Sequence, residues 1–190
     1  PRDAERRARL QHEIERDDRE MRISQPRTEH AHDLTAHHEA PFILAIESSC
    51  DETAAAVIDG ERPILADCIA IDFHKSFGGV VPEIASRKHT EAIVPTVMYT
   101  MEQAGLNFSE LSAVACTIGP GLVGALVVGV AFAKGLCFAT GLPFIGVNHL
   151  EGHLYANRYV DPMLEPPFIA LLVSGGHTML VHVKDWGDYA

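Results

Sequence analysis

The sequence lacks several features that would indicate particular classes of protein. It has four cysteines, none of them in a C-x-x-C pair, so a disulfide framework is not indicated and we expect reduced thiols in the cytoplasm. No stretch has the pattern of a secretory signal. Positive charge is scarce, since 15 Lys and Arg stand against 26 Asp and Glu, with a formal net charge of -11. The composition therefore excludes a generally basic surface for nucleic acid, and any RNA partner would need help from another surface.

A long uninterrupted apolar run is also lacking. The longest run, 122–142, contains Lys134 and four glycines, which predicts a buried helix and not a membrane span. We therefore expect no membrane partner. With 190 residues and 47% hydrophobic content, the chain is long enough for one ordinary domain with a sizeable core.

Residues 1–40 differ in composition from everything that follows. They contain no lysine, no aromatic residue and few large apolar residues, but many arginines, acidic residues and histidines. Such a segment cannot bury enough surface to offset its ordering entropy, so we expect a charged, disordered tail or linker. Its histidines could trap a metal ion, although a solvated tail is the simpler interpretation. The folded part is expected to be residues 41–190.

From residue 41 onward, short apolar runs alternate with helical patterns, which predicts an α/β fold. Strands are predicted at 42–46, 54–58, 64–71, 111–118, 143–147, 168–173 and 179–183. Helices are predicted from about 82 to beyond 93, at 94–103 with Gly105 as the C-cap, at 122–140 and at 148–156.

Two histidines, His149 and His153, stand four residues apart within the predicted helix 148–156. At this spacing the two side chains share one helix face, with Cβ atoms about 5 to 6 Å apart, so one metal ion can bridge them. Neutral imidazole suits zinc or iron, and two protein ligands leave positions open for a third ligand and for substrate. The alternative is a hydrogen-bonded surface patch near the start of the helix.

Glycine-rich turns follow two of the predicted strands. Gly175 and Gly176 follow the run 168–173 after Ser174, where backbone N–H groups could approach a phosphate, although a tight turn is an equal alternative. Gly119-Pro120-Gly121 precedes the long helix and could offer free backbone donors to an anion, or simply allow close packing. A basic group at residues 87–89, Arg-Lys-His, could face a phosphate or nucleic acid, or form a solvated helix face.

Five longer motifs occur in a fixed order along the chain. They are Glu-Ser-Ser-Cys-Asp-Glu-Thr, Gly-Gly-Val-Val-Pro-Glu-Ile-Ala-Ser-Arg, Gly-Pro-Gly-Leu-Val-Gly-Ala-Leu, His-Leu-Glu-Gly-His and Leu-Val-Ser-Gly-Gly-His-Thr. Together they closely resemble the TsaD family, the universal tRNA threonylcarbamoyladenosine transferases, over residues 42 to about 189. The resemblance implies an actin-, Hsp70- and hexokinase-like fold with a mixed sheet and flanking helices. It also implies that 41–190 form the N-terminal lobe of a longer protein, with the second lobe missing.

The resemblance also implies roles for particular residues. His149 and His153 match the family's metal ligands for one divalent ion per subunit, iron or zinc, whose third ligand is an aspartate of the second lobe. The family's nucleotide-contacting loop matches Leu172, Val173, Ser174, Gly175 and Gly176. The implied enzyme is an acyltransferase that moves threonylcarbamoyl from threonylcarbamoyl-AMP to the adenine beside the anticodon of ANN-decoding tRNAs. No general base is assigned, and we expect these 190 residues alone to be inactive.

The implied partners are threonylcarbamoyl-AMP or a related adenine nucleotide, tRNA, a TsaB-type paralogous subunit and an associated ATPase. Two other functions stay open. The chain could be a non-catalytic lobe that binds a partner through the helix around 82–94. It could instead be a metallopeptidase, but zincin peptidases place a glutamate directly after the first histidine, where this chain has Leu150, and Glu151 falls on another helix face.

Overall fold

The computed structural model describes residues 41–60, 64–71, 82–174 and 178–190, with the backbone alone at 71 and 82–85. Three predicted features lie outside the described residues: the tail 1–40, the first four residues (78–81) of the motif Gly-Gly-Val-Val-Pro-Glu-Ile-Ala-Ser-Arg, and Gly175 and Gly176 of the nucleotide loop. The division of the chain at residue 40 therefore stays a prediction.

A five-stranded mixed sheet forms the centre of the fold. Its strands are β1 (Phe42–Glu47), β2 (Glu52–Asp59), β3 (Ile64–Ile71), β4 (Leu111–Gly119) and β5 (Phe144–Asn148), in the order β3-β2-β1-β4-β5. β1 pairs antiparallel with β2 and parallel with β4, and β4 pairs parallel with β5. Each predicted strand is present within two residues of its expected bounds, because short apolar runs between turn residues are a strong strand signal.

Two long helices, α1 (Pro82–Ala104) and α2 (Val123–Thr140), pack together and against this sheet. The two helical stretches predicted before Gly105 are one continuous helix, so that division was wrong. Pro95 lies inside α1, where proline removes a backbone donor. Ile93, Val97 and Met101 form a buried stripe at four-residue spacing across it, and their packing outweighs the lost hydrogen bond. The predicted glycine C-cap is confirmed, with φ +66° at Gly105.

α2 is less buried than its composition predicted. Its buried residues form one stripe of small side chains: Ala125, Gly129, Ala133 and Cys137. Only 22% of the helix is buried, and by length and composition, with a mean hydropathy of 1.9, it could cross a membrane. In this structure it packs on β4 and α1. The expectation of a buried helix holds only for this stripe, because the sheet covers one face only.

The rest of the chain forms a second, smaller layer. It contains the helices α3 (His149–Tyr155) and α4 (Asn157–Val160) and the antiparallel strands β6 (Phe168–Val173), β7 (Thr178–Asp185) and β8 (Asp188–Tyr189). One face of β6 packs with Leu154 of α3 and Val183 of β7. The opposite face carries three exposed aliphatic side chains, Ile169, Leu171 and Val173. The small layer is thus apolar on both sides, and its own core uses only one of them.

Candidate metal and nucleotide site

The candidate site lies where the three parallel strands of the main sheet end. β1, β4 and β5 run in the same direction, and their last residues are Glu47, Gly119 and Asn148. The carboxyl ends of parallel strands meet at one edge of a sheet, and ligands of open α/β sheets bind in the crevice outside that edge. Both predicted metal ligands follow β5 at this edge.

Asn148 ends β5 and caps α3 at the same time. Its side-chain oxygen accepts hydrogen bonds from the backbone N–H of Leu150, at 2.9 Å, and of Glu151, at 3.4 Å. Asparagine is a favoured N-cap because it satisfies donors that have no partner in the first turn. The helix therefore begins directly at His149, so the sheet edge determines where both imidazoles lie.

The two imidazoles face one another, as their spacing predicted. His149 Nε2 and His153 Nε2 are 3.1 Å apart, and the ring centroids are 4.5 Å apart. Two nitrogens that each bind one metal at about 2.1 Å, with a bond angle of about 90 to 110°, are about 3.0 to 3.5 Å apart. The pair therefore fits two positions around one ion. Within the described residues no cluster of three or more His, Cys, Asp or Glu side chains is arranged to hold a metal, so the pair by itself is an incomplete site.

A half-buried acidic side chain, Glu47, lies behind the first histidine. One carboxylate oxygen accepts a hydrogen bond from the backbone N–H of Ser49, and the other accepts one from Thr117 Oγ1 at 2.5 Å. His149 Nδ1 lies 3.3 Å from Glu47 Oε2 and 3.1 Å from Ser49 Oγ. Burial pushes the pKa of Glu47 upward, but hydrogen bonds from Ser49, Thr117 and His149 outweigh it and hold that pKa below its ordinary value. Glu47 is therefore a carboxylate at neutral pH.

The end of β6 meets the second histidine across a groove. A cavity of about 450 Å³ is lined by His153, Leu172, Val173 and Ser174 together with other residues of α3 and β6. Leu172 is half-buried, whereas Val173 and Ser174 are exposed. The structure thus places the described part of the predicted nucleotide loop beside the predicted metal pair, which are 19 or more residues apart in sequence. Their binding roles stay predictions.

The basic group of α1 does not form one surface. His89 is buried, with 2% exposure; its Nδ1 accepts from Thr53 Oγ1 at 2.7 Å and its Nε2–H donates to Cys50 O at 3.0 Å. Arg87 is exposed and pairs with Glu91 on the same helix at 3.1 Å. The suggestion that residues 87–89 jointly face a phosphate is therefore wrong for His89, which instead ties α1 to the loop after β1.

The geometry disfavours a metallopeptidase. Glu151, the acidic residue between the two histidines, accepts a hydrogen bond of 2.7 Å from the Tyr189 hydroxyl of β8. A general base must reach the water or proton that it activates, and this carboxylate is engaged on another side of α3. The prediction that it points to a different helix face is confirmed.

Three polar residues of the site were missed from the sequence: Glu47, Ser49 and Thr117. The first two belong to the motif Glu-Ser-Ser-Cys-Asp-Glu-Thr, from which no contact with the histidines is predicted. Thr117 lies within the apolar strand β4, and only its position near the end of that strand distinguishes it. A signal was available in the strand order, because polar residues at the ends of neighbouring parallel strands converge.

The chain resembles known proteins over most of its length. The family model "TsaD: tRNA N6-adenosine threonylcarbamoyltransferase" matches residues 64–190. Proteins of that name from Clostridium perfringens (strain SM101) and Clostridium novyi (strain NT) are 58% and 57% identical over 150 and 149 residues. The alignments cover 78% and 77% of this chain but 44% of each relative. The chain thus spans less than half the length of the curated relatives that it matches.

One solved structure shows the same architecture. YeaZ from Pseudomonas aeruginosa has a TM-score of 0.51 and 20% sequence identity, covering 79% of this chain and 66% of that chain. The mixed sheet with flanking helices and a polar site at its carboxyl edge define an actin-, Hsp70- and hexokinase-like lobe, as predicted. Because the family model covers well over half of the residues, the chain belongs to the TsaD family of tRNA N6-adenosine threonylcarbamoyltransferases. The predicted family is confirmed, and it is a family of transferases.

Proposed function

We propose that residues 41–190 form one lobe of a tRNA N6-adenosine threonylcarbamoyltransferase, with residues 1–40 as a tail or linker. The whole enzyme transfers threonylcarbamoyl from threonylcarbamoyl-AMP to the exocyclic amine of the adenine beside the anticodon in ANN-decoding tRNAs. Family membership supports this reaction. The observation that carries it is the histidine pair, with its two Nε2 atoms 3.1 Å apart at the carboxyl edge of the sheet.

The residues of this lobe have separable tasks in that reaction. His149 and His153 would hold one divalent ion, iron or zinc, which when bound polarises a carbonyl oxygen of the threonylcarbamoyl group. Leu172, Val173 and Ser174 form the wall of the adjoining groove, where the adenylate part of the substrate would lie. The adenine amine is a weak nucleophile, so positioning of the two substrates contributes more than proton abstraction. Further ligands and nucleotide contacts would come from a second lobe.

The charge of the chain bears on its partners. A net charge of -11 repels the phosphates of tRNA, whose binding to proteins depends on Lys and Arg. The basic surface for tRNA is therefore proposed to come from the second lobe or from another subunit. A TsaB-type paralogous subunit and an associated ATPase are the proposed protein partners, and the cytoplasm is the proposed location. A purely partner-binding role is the second candidate, favoured by the exposed aliphatic face of β6.

The reaction is tested in the full-length protein with its partners. Threonylcarbamoyl-AMP and a tRNA with an ANN anticodon are supplied, and the modified nucleoside is measured by mass spectrometry after digestion. Loss of a supporting group around a metal site already costs about 10- to 100-fold, so we expect at least about a 100-fold loss for His149→Asn and for His153→Asn. His182→Asn, at an exposed histidine of β7 outside the groove, serves as the matched control. Unchanged transfer in both ligand variants would refute the proposed site.

A further inference from the structure

The ring nitrogen of His149 that faces away from His153 meets only oxygen atoms among the described residues. These are Ser49 Oγ at 3.1 Å and Glu47 Oε2 at 3.3 Å from Nδ1. The Ser49 hydroxyl can donate or accept, so it fits a protonated as well as an unprotonated Nδ1. A carboxylate has no donor. Glu47 therefore requires a proton on Nδ1, and the Ser49 oxygen can accept from the same N–H.

We propose that Glu47 is a positioning residue that holds His149 as its Nδ1–H tautomer, which leaves the Nε2 lone pair facing His153. This inference rests on the proposed metal pair, because a ligand nitrogen must be unprotonated. Metal-binding histidines commonly donate their other ring N–H to a carboxylate, which sets both tautomer and ring orientation. No role for Glu47 follows from the histidine spacing.

The carboxylate is held rigidly enough to impose this choice. The backbone N–H of Ser49 donates to Glu47 Oε1, and Thr117 donates to Oε2. The loop that carries Ser49 is anchored in turn to the start of α2, because Leu122 N–H donates to Ser49 O at 2.8 Å and Ser48 Oγ donates to Ala125 O at 3.0 Å. Glu47 itself ends β1, the central strand of the sheet. Its position is thus determined from three sides.

The same contacts explain why an isosteric amide cannot replace the carboxylate. In Glu47→Gln, the backbone N–H of Ser49 can only donate, so it selects the amide oxygen for the Oε1 position. The NH₂ group then takes the Oε2 position, facing His149 Nδ1. An NH₂ group can only donate, so Nδ1 must accept and the ring proton moves to Nε2. A change of one side-chain atom thus inverts the tautomer and places a proton where the metal would bind.

The test is to measure the tautomer in the metal-free chain. Histidine ring nitrogens are labelled with ¹⁵N, and long-range ¹H–¹⁵N spectra are recorded well above the pH at which the rings become neutral, because protonated and unprotonated nitrogens resonate far apart. His149→Asn identifies the signals of His149. We expect the Nδ1–H tautomer in the unmodified chain and the Nε2–H tautomer in Glu47→Gln. Thr117→Val, which keeps the carboxylate, is the matched control and should retain Nδ1–H.

The outcomes separate this inference from the proposed function. An Nε2–H tautomer in the unmodified chain would overturn the proposal even if Glu47→Gln failed to fold, and so would a folded Glu47→Gln variant with an unchanged tautomer. Zn²⁺ is then titrated into the full-length protein, which supplies the further ligands, and is followed at the ring signals of His149 and His153, so that tail histidines do not contribute. We expect binding about 10- to 100-fold weaker in Glu47→Gln. The predicted tautomer without Zn²⁺ binding would refute the metal pair alone; binding without that tautomer would refute the role of Glu47 alone.

Discussion

Tyr189 Oη donates a hydrogen bond of 2.7 Å to Glu151 Oε1 and thereby joins the short strand β8 to α3, the helix that carries both histidines. Tyr189 Oη also accepts a hydrogen bond from the backbone N–H of Gly187 at 3.1 Å. The helix is thus held at its start by Asn148 and on its side by Tyr189. Two separate layers of the fold determine the orientation of one seven-residue helix.

We expect Tyr189→Phe to lower the free energy of unfolding by about 1 kcal/mol at pH 7, since it removes a hydrogen bond to a carboxylate that is partly exposed. Burial, and then the hydrogen bond to Glu151, raise the pKa of Tyr189. A raised phenol pKa means that this stabilisation is complete below about pH 10 and is lost as the pH rises through the folded-state pKa. Urea unfolding at several pH values measures both effects. Tyr159→Phe, at an exposed tyrosine, should change the pH 7 value little; an equal loss there would contradict the assignment.

Two glycines of α2 provide a matched pair of substitutions. A Cβ at residue 129 would collide with Ser48 Oγ and lie 3.3 Å from Ser48 Cβ and 3.4 Å from Cys116 Sγ. We expect Gly129→Ala to destabilise the fold by about 1 to 3 kcal/mol, because either the Ser48 hydroxyl must turn away and lose its hydrogen bond to Ala125 O, or the helix must move. A Cβ at residue 135 meets nothing within 4 Å, so Gly135→Ala should be neutral or stabilising by up to about 1 kcal/mol. Thermal unfolding compares them, and similar effects would contradict the close approach at Gly129.

The buried contact between His89 and Thr53 is expected to contribute measurably to stability. Thr53→Val keeps the shape of the side chain but leaves the acceptor His89 Nδ1 without its partner in the core, which costs about 1 to 3 kcal/mol. Thr53→Ser retains the hydroxyl and should recover part of that loss. Denaturant unfolding gives the values. Thr90→Val, on the exposed side of α1, should change stability by no more than about 0.5 kcal/mol, and a Thr53→Val effect of that size would show that the buried contact is unimportant.

Because the Cys116 thiol is buried, we expect the free energy of unfolding to fall in alkali. Burial, and then the charge of Glu47, raise the pKa of Cys116 from 9.0 to about 12. The folded state therefore favours the neutral thiol, and its stabilisation is complete below pH 9 and declines between pH 9 and 12. Over this range one such group lowers the free energy of unfolding by about 1.4 kcal/mol per pH unit. The free energy of unfolding, measured from pH 8 upward, should decline less steeply with pH in Cys116→Ala. Cys50→Ala, at an exposed thiol, should change the slope less, and equal slopes in all three proteins would refute the prediction.

The strands could be predicted because each is a short apolar run between polar turns. The continuity of α1 could not, since it depends on packing across Pro95 that only the sheet supplies. The histidine pair could also be predicted, because helical spacing is a local property. Its environment could not: Glu47 and Thr117 are adjacent because the parallel register sets Ile46 opposite Cys116. The contact between Glu151 and Tyr189 likewise depends on where β8 lies in space.

The absence of a connecting loop between β5 and α3 has a consequence for how this part of the chain can vary. Asn148 is both the last residue of the strand and the cap of the helix. No linking residues lie between them that could adjust to a change in length. One inserted residue would turn the helix by about 100° and carry both imidazoles away from the sheet edge. We therefore expect substitutions around the histidine pair to be tolerated more readily than insertions or deletions between β5 and α3.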